Sequence, residues 1–231
     1  MKALSVLLSI LLVVNLASAK ETDVINIAIG ESYQGDSKIT KYGMTVEGII
    51  TAIYENAGIP YKVTYLPDER AIQSLITGQY DALDLRINQL AKEPELVRVN
   101  VPLEEIKVHL YAKDGRYYQS LSDAKDKIIV SMHGTRYIEV LKEYKRLHRV
   151  HSVDQAALML MAGRADVWLA PLQSYAFLST TFPDIKIASP PVYIEPLYHY
   201  LHISKSHLVK PLEASAKEFV RLHSTPSEKP E

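Results

Sequence analysis

The chain has 231 residues, 47% of them hydrophobic, and its 26 basic side chains nearly balance its 27 acidic ones, for a net charge of −1. This even mixture leaves no footprint for nucleic acid or an anionic membrane surface, and the lack of cysteine excludes a disulfide framework, a thiol nucleophile and a lipid-bearing cysteine. The length suffices for two lobes of about 100 residues each, which can bury their cores unaided.

Met1 to Ala19 reads as an export signal. Lys2 supplies the positive end, Ala3 to Leu16 the apolar stretch, and Ala17-Ser18-Ala19 the small-residue cleavage site. The apolar stretch is shorter than the roughly 20 residues a membrane span needs, and no second such segment follows. The expectation is cleavage after Ala19 and a soluble mature chain. A bacterial periplasm suits it best, because small exported scaffolds elsewhere are usually stapled by disulfides.

Val24 to Gly30 is a buried strand that runs into a polar loop, Glu31 to Lys41, containing Tyr33, Gly35 and Asp36. Val46, Ile49, Ile50, Ile53 and Ala57 mark an amphipathic helix stopped by Gly58 and Pro60. Tyr61 to Leu66 alternates as a strand. Asp68 is placed to cap a helix whose apolar face is Ala71, Ile72, Leu75 and Ile76, with Gly78 closing it. Ala82 to Leu85 then forms a short buried strand that runs out at Arg86. This βαβαβ run makes a parallel sheet the default.

A polar stretch leads to strands at Leu96 to Val99 and Ile106 to Ala112, the second crossing into another lobe. There the grammar repeats: strand Lys127 to Ser131, turn His133-Gly134-Thr135, helix Tyr137 to Lys145, strand Leu147 to Val150. A capping box of Ser152 and Gln155 opens a helix through Ala162, and the strand Val167 to Ala170 is broken by Pro171 before a short helix. Pro190 and Pro191 interrupt the sheet, Leu197 to Ile203 returns toward the first lobe, and Leu208 to Leu222 is a last amphipathic helix ahead of a polar tail from Ser224. The halves share a local match. Leu75-Ile76-Thr77-Gly78-Gln79-Tyr80-Asp81-Ala82 corresponds to Leu160-Met161-Ala162-Gly163-Arg164-Ala165-Asp166-Val167.

In these features the chain resembles the bacterial extracellular solute-binding proteins of the polar-amino-acid uptake type. The matching residues are Leu75, Gly78, Tyr80 and Asp81 in the first half. In the second they are Asp123, Lys127, Val130, Gly134-Thr135, Ala156, Leu160, Gly163-Arg164 and Asp166. The resemblance implies an α/β, two-lobed, type II periplasmic-binding-protein-like fold, each lobe a mainly parallel sheet flanked by helices, joined by a two-strand hinge. Residues 20–112 would form the first part of lobe one, 113–196 lobe two, and 197–231 the return to lobe one. The family's Thr-x-x-Arg for an α-carboxylate is replaced by Leu90-Ala91-Lys92-Glu93-Pro94, and Pro171 stands where an Asp for the α-amino group is usual.

Ligands of open α/β sheets gather at the carboxyl ends of strands, which selects the residues expected to bind solute. Arg86 offers a planar fork for a carboxylate or phosphate, against the alternative of a salt bridge with Asp84, Glu93 or Glu95. Arg70, beside Glu69, is a second cation. Gly134 and Thr135, with His133, combine a helix start with a hydroxyl, a setting that also serves as a simple cap. Tyr33 could stack on a solute and Glu31 accept from an amine, while Asp84 could pair with Glu31 as acid and base.

His148-x-x-His151 and His199-x-x-His202 place their histidines on opposite strand faces, which favours packing over a metal site. No nucleophile elbow, zinc-protease helix or phosphate loop is present. The expectation is a binding protein, not an enzyme, with no cofactor. It would act as a monomer, closing over a small polar, anionic or zwitterionic solute for an ABC permease or a membrane sensor. A small dehydratase or lyase on the same scaffold, or a protein-interaction module that has lost solute binding, are the alternatives.

Overall fold

The computed structural model describes residues 23–35, 40–113, 115–178 and 180–223. The expected leader, Asp36 and the tail from Ser224 lie outside the described residues. Lobe one opens with β1 (Ile25–Gly30), α1 (Val46–Asn56), β2 (Tyr61–Leu66), α2 (Asp68–Ile76) and β3 (Ala82–Ile87). A short β4 (Leu96–Arg98) precedes the long β5 (Glu104–Ala112). Lobe two holds β6 (Ile128–Met132), β7 (Arg146–Val150), α3 (Val153–Met161), β8 (Val167–Pro171), α4 (Leu172–Leu178) and β9 (Lys186–Ile187). The chain returns on β10 (Tyr193–His202) and ends in α5 (Val209–His223).

Among the described residues the strands form one sheet, in the order β2-β1-β3-β10-β5-β8-β6-β7, with β4 on β10 and β9 on β5. β1, β2 and β3 are parallel, as are β6, β7 and β8. Among the described residues only β5 and β10 link the two groups. The first residues of β10 pair antiparallel with β5, from Tyr193 against Val108 to Leu197 against Glu104, and its later residues pair with β3. β5 in turn passes from β10 to β8, where Val108 faces Pro171. Two strands therefore carry the chain between the lobes. Lobe one buries one cluster with Ile27, Ile49, Leu85 and Phe219 and another with Ile72, Leu75 and Leu83; lobe two buries one with Leu110 and Ile129 and another with Trp168 and Leu160.

The repeated stretch has a common physical basis. Gly78 and Gly163 close α2 and α3 with φ of 71° and 67°, a left-handed turn that costs other residues about 1 kcal/mol. Three residues on, each Asp begins a strand by exchanging two hydrogen bonds with the first strand of its lobe. The Asp81 amide donates to the Asn26 carbonyl at 2.9 Å, and the Asn26 amide donates to Asp81 Oδ2 at 2.9 Å. Asp166 does the same with Ile128, at 2.8 Å both ways.

Two local expectations are corrected. The helix expected over Tyr137 to Lys145 is a 3-10 turn, Arg136–Val140. Tyr137, Ile138 and Leu141 are buried, but residues 142–146 are all exposed, so no apolar face remains to hold a longer helix on the core. The Ser152 cap forms, accepting from the Gln155 amide at 3.2 Å, yet the Gln155 side chain reaches one residue further back and accepts from the His151 amide at 3.0 Å.

Candidate functional site

A cavity of about 580 Å³ lies between the lobes. Its walls are the segments that follow β1 (Glu31 to Tyr33), β2 (Pro67 to Glu69), β6 (His133 to Tyr137), β7 (His151 to Asp154) and β8 (Gln173, Ser174), with the end of β3 itself. All are carboxyl ends of parallel strands, where the fold leaves the connections unpacked. Lobe one adds an apolar wall from Ile72, Leu85, Ile87 and Leu90, continued by Ile106 and Leu197 of the crossing strands. A depression of about 520 Å³ around Lys125 and residues 141–144 is open and formed by lobe two alone.

The lobe-one side is fixed by a charged cluster. Arg86 donates from Nη2 to Asp84 Oδ2 at 2.9 Å, its Nε lies 2.5 Å from Asp84 Oδ1, and its Nη1 donates to Asp68 Oδ1 at 3.1 Å. Asp84 is fully buried and also accepts from the Gly30 amide at 2.5 Å. Burial pushes the Asp84 carboxyl up to about 6, against the pull of Arg86 and the Gly30 N–H. Burial acts against the charge on Arg86, but Asp84 and Asp68 outweigh it and hold the guanidinium above its ordinary value. A side chain at Gly30 would displace the Asp68 and Arg86 ends of the cluster.

These contacts revise several expected roles. The salt bridge from Arg86 to Asp84 forms, and Asp68 is added to it, so Arg86 presents a neutralised fork to the cavity. Asp68 is the first residue of α2 and not its cap; its carboxylate accepts from Ser32 Oγ at 2.7 Å and from the Ser32 amide at 3.3 Å. Tyr33 lines the cavity with its hydroxyl donated to the Leu85 carbonyl at 2.8 Å, and its ring lies 5.7 Å from the Arg86 guanidinium carbon. Glu31 is exposed at the cavity edge. Arg70 is exposed and is not among the residues lining the cavity.

On lobe two, His133, Gly134 and Thr135 line the wall. The Thr135 hydroxyl donates to the Met132 carbonyl at 2.9 Å, however, and the five-residue 3-10 turn after it lacks the aligned dipoles of an α-helix. Arg136, which follows directly, was not among the residues expected from sequence but also lines the cavity. Its Nη2 donates to Glu69 Oε1 of lobe one at 3.3 Å, and Gln89 of lobe one donates to Glu139. These contacts join the lobes across the cavity. His151, assigned to packing from its strand spacing, lines the wall with its ring centroid 5.0 Å from that of His133, as does Asp154 in the first turn of α3, which was not among the residues expected from sequence.

The other histidine pair is divided. His199 is buried on β10, with Nε2 2.9 Å from the Tyr54 hydroxyl, and burial lowers it to about 4. His202 Nδ1 lies 2.8 Å from Ser204 Oγ. Among the described residues there is no cluster of three or more potential metal ligands, and no helix is long and apolar enough to cross a membrane.

No protein-family model matches the chain, and no curated protein sequence does. Solved structures do. The chain superposes on a mutant of ArgBP from T. maritima with a TM-score of 0.70 at 15% identity, over 86% of this chain and 90% of that one. The GluR0 ligand-binding core in complex with L-glutamate gives 0.69 at 13% identity, over 88% and 99%. A histidine kinase sensor domain with similarity to periplasmic binding proteins gives 0.71 at 14% identity, over 86% and 90%. The chain thus has the two-lobed α/β fold of type II periplasmic binding proteins. At these identities the likeness is one of fold.

Proposed function

We propose that this chain is a solute-binding protein that closes its two lobes over a small molecule in the interlobe cavity. The observation that carries this reading is the cavity itself, about 580 Å³, walled at the carboxyl ends of parallel strands from both lobes. Solute contacts from both walls would favour the closed arrangement by population shift, and a membrane partner would recognise it. That partner is an ABC permease or, as the sensor-domain neighbour suggests, a sensory receptor. Export with cleavage after Ala19, lobe boundaries at 112/113 and 196/197, and the absence of catalysis belong to the same reading.

The charge of the wall redirects the expected ligand. Five carboxylates line the cavity, Glu31, Asp68, Glu69, Glu104 and Asp154, against two guanidiniums, Arg86 and Arg136. Glu31, Glu104 and Asp154 have no ion-pair partner among the described residues, whereas Asp68 and Glu69 are paired. A solute with a positive group and an apolar body fits this wall better than a simple anion, which the expectation resting on Arg86, Arg70 and Thr135 had allowed.

A thermal-shift screen of the chain from Lys20 against amines, amino acids, small carboxylates, sugars and peptides tests the reading. Ligand at 100 times its dissociation constant adds about 2.7 kcal/mol, a shift of several degrees. A hit recovered unchanged by mass spectrometry supports binding, and a converted one supports the enzyme alternative. The reading fails if no compound shifts the melting temperature of protein first unfolded and refolded to empty its cleft.

A further inference from the structure

We infer that Arg136, and not Arg86, holds the acceptor end of the solute, and that the same guanidinium links the occupied cavity to lobe closure. The inference rests on the solute-binding reading. Of the two guanidiniums in the wall, Arg86 donates from Nη1 to Asp68 and from Nη2 to Asp84, and its buried Nε, without a hydrogen bond of its own, lies 2.5 Å from Asp84 Oδ1. Arg136 is differently placed. Its Nη2 reaches Glu69 at 3.3 Å and its Nη1 lies 4.0 Å from Glu139, while its Nε is buried with no hydrogen-bond partner among the described residues. A buried N–H without an acceptor is costly, about 1–3 kcal/mol, and on the cavity wall a solute acceptor is a partner that could satisfy it.

The geometry allows one guanidinium to serve both contacts. Nε and Nη2 present parallel N–H bonds along one edge, which suits a carboxylate or another two-point acceptor. Nη2 carries a second N–H, which can remain on Glu69. An acceptor on the solute would then orient Arg136 toward Glu69, the residue of α2 against which Gly134 also packs, since a side-chain carbon at Gly134 would lie 3.4 Å from Glu69 Cβ. Solute and lobe-one helix would meet on one side chain, so that filling the cavity favours the closed form.

The test compares the parent with Arg136→Lys, which keeps the charge but loses the paired N–H edge, and with Glu69→Gln, which weakens the interlobe contact and removes one of the wall carboxylates but leaves the Arg136 edge intact. The probes are norvaline, norvalinamide, pentylamine and valerate, with any carboxylate-bearing hit of the screen and its amide added as a further pair. Dissociation constants come from calorimetry. Expected on the parent is tenfold or tighter binding of the acid over its amide. Arg136→Lys removes that preference and leaves pentylamine unchanged, whereas Glu69→Gln weakens all ligands by a similar factor and keeps the preference. The inference is overturned if Arg136→Lys and Glu69→Gln weaken every ligand alike, which makes Arg136 a latch only, or if acid and amide bind the parent equally. Binding confined to compounds without an acceptor also overturns it while leaving the solute-binding reading intact. Failure of every compound in the wider screen removes both.

Discussion

After the turn Gly78 to Asp81, β3 carries Asp84 and Arg86; after the turn Gly163 to Asp166, the equivalent positions of β8 hold Leu169 and Pro171. Asp84 and Leu169 are both fully buried, so one location is filled with charge in lobe one and with hydrocarbon in lobe two. The neighbouring connection differs too, an eleven-residue helix after β1 against a 3-10 turn after β6. Lobe two thus forms the same plan without a charged cluster at this location. What the cluster provides is position. It ties the ends of β1, β3 and α2 together at the wall of the cavity through Gly30, Asp84, Arg86 and Asp68. Lobe two has no such cluster in its wall, and its Arg136 pairs instead across the cavity with Glu69 of lobe one.

The largest effect should come from breaking the cluster on one side. Asp84→Ala leaves Arg86 buried with Asp68 as its sole carboxylate partner, and a loss of about 3–5 kcal/mol in urea unfolding is expected. Replacing both charges in Asp84→Leu/Arg86→Leu makes β3 resemble β8, and stability should return to within about 2 kcal/mol of the parent. A double variant as unstable as Asp84→Ala would show that lobe one depends on its charges for folding.

Next in size is a pH effect confined to lobe one. His199 stays neutral in the fold, lowered to about 4 from an ordinary 6.5, so stability is lost as pH falls through that window, by about 3 kcal/mol in all. Asp84 has the opposite sign. Raised to about 6 from 3.8, it keeps a proton in the fold that the unfolded chain has released, and stability falls as pH rises through its window, again by about 3 kcal/mol. Between pH 4 and 6 the two largely offset each other. His199→Gln should therefore convert a nearly flat profile into one in which stability increases toward pH 4, measured by denaturant midpoints. An unchanged flat profile would mean that neither group titrates as its burial implies.

Which parts were legible in sequence follows from the range of the interactions. Strands and most helices follow from short apolar patterns, and the repeated Gly-x-x-Asp identified two lobes before any contact was known. Tyr137, Ile138 and Leu141 have helical spacing, but only the exposure of residues 142–146 shows that the helix does not continue. The pairing of Arg86 with Asp84 was readable because residues two apart on a strand share a face. Asp68 and Glu69 join Arg86 and Arg136 from 18 and 67 residues away, and no local pattern selects those partners. Arg136 had one usable signal, its place directly after the Gly134-Thr135 turn at a strand end.

The strand-opening aspartates give the closest test of the shared plan. Asp81→Ala and Asp166→Ala each remove the carboxylate that accepts from the first strand, and each should cost about 1–2 kcal/mol. Asp81 should fall at the upper end, since Lys205 also lies 3.4 Å from it, against 3.3 Å for Arg116 at Asp166, where both side chains are more exposed.

The turn glycines give the smallest and cleanest difference. Gly78→Ala and Gly163→Ala impose the same left-handed strain, about 1 kcal/mol each. The surroundings then separate them. A methyl at Gly163 meets nothing within 4 Å, whereas at Gly78 it lies 3.3 Å from the ring of His202 at the end of β10. The Gly78 variant must therefore shift His202 and its contact with Ser204, and it should be the less stable by a few tenths of a kcal/mol. Equal losses would mean that the His202 ring moves aside freely, making the two turns equivalent in energy as well as in shape. A larger loss at Gly163 would contradict the open space beside it and with it the common turn geometry.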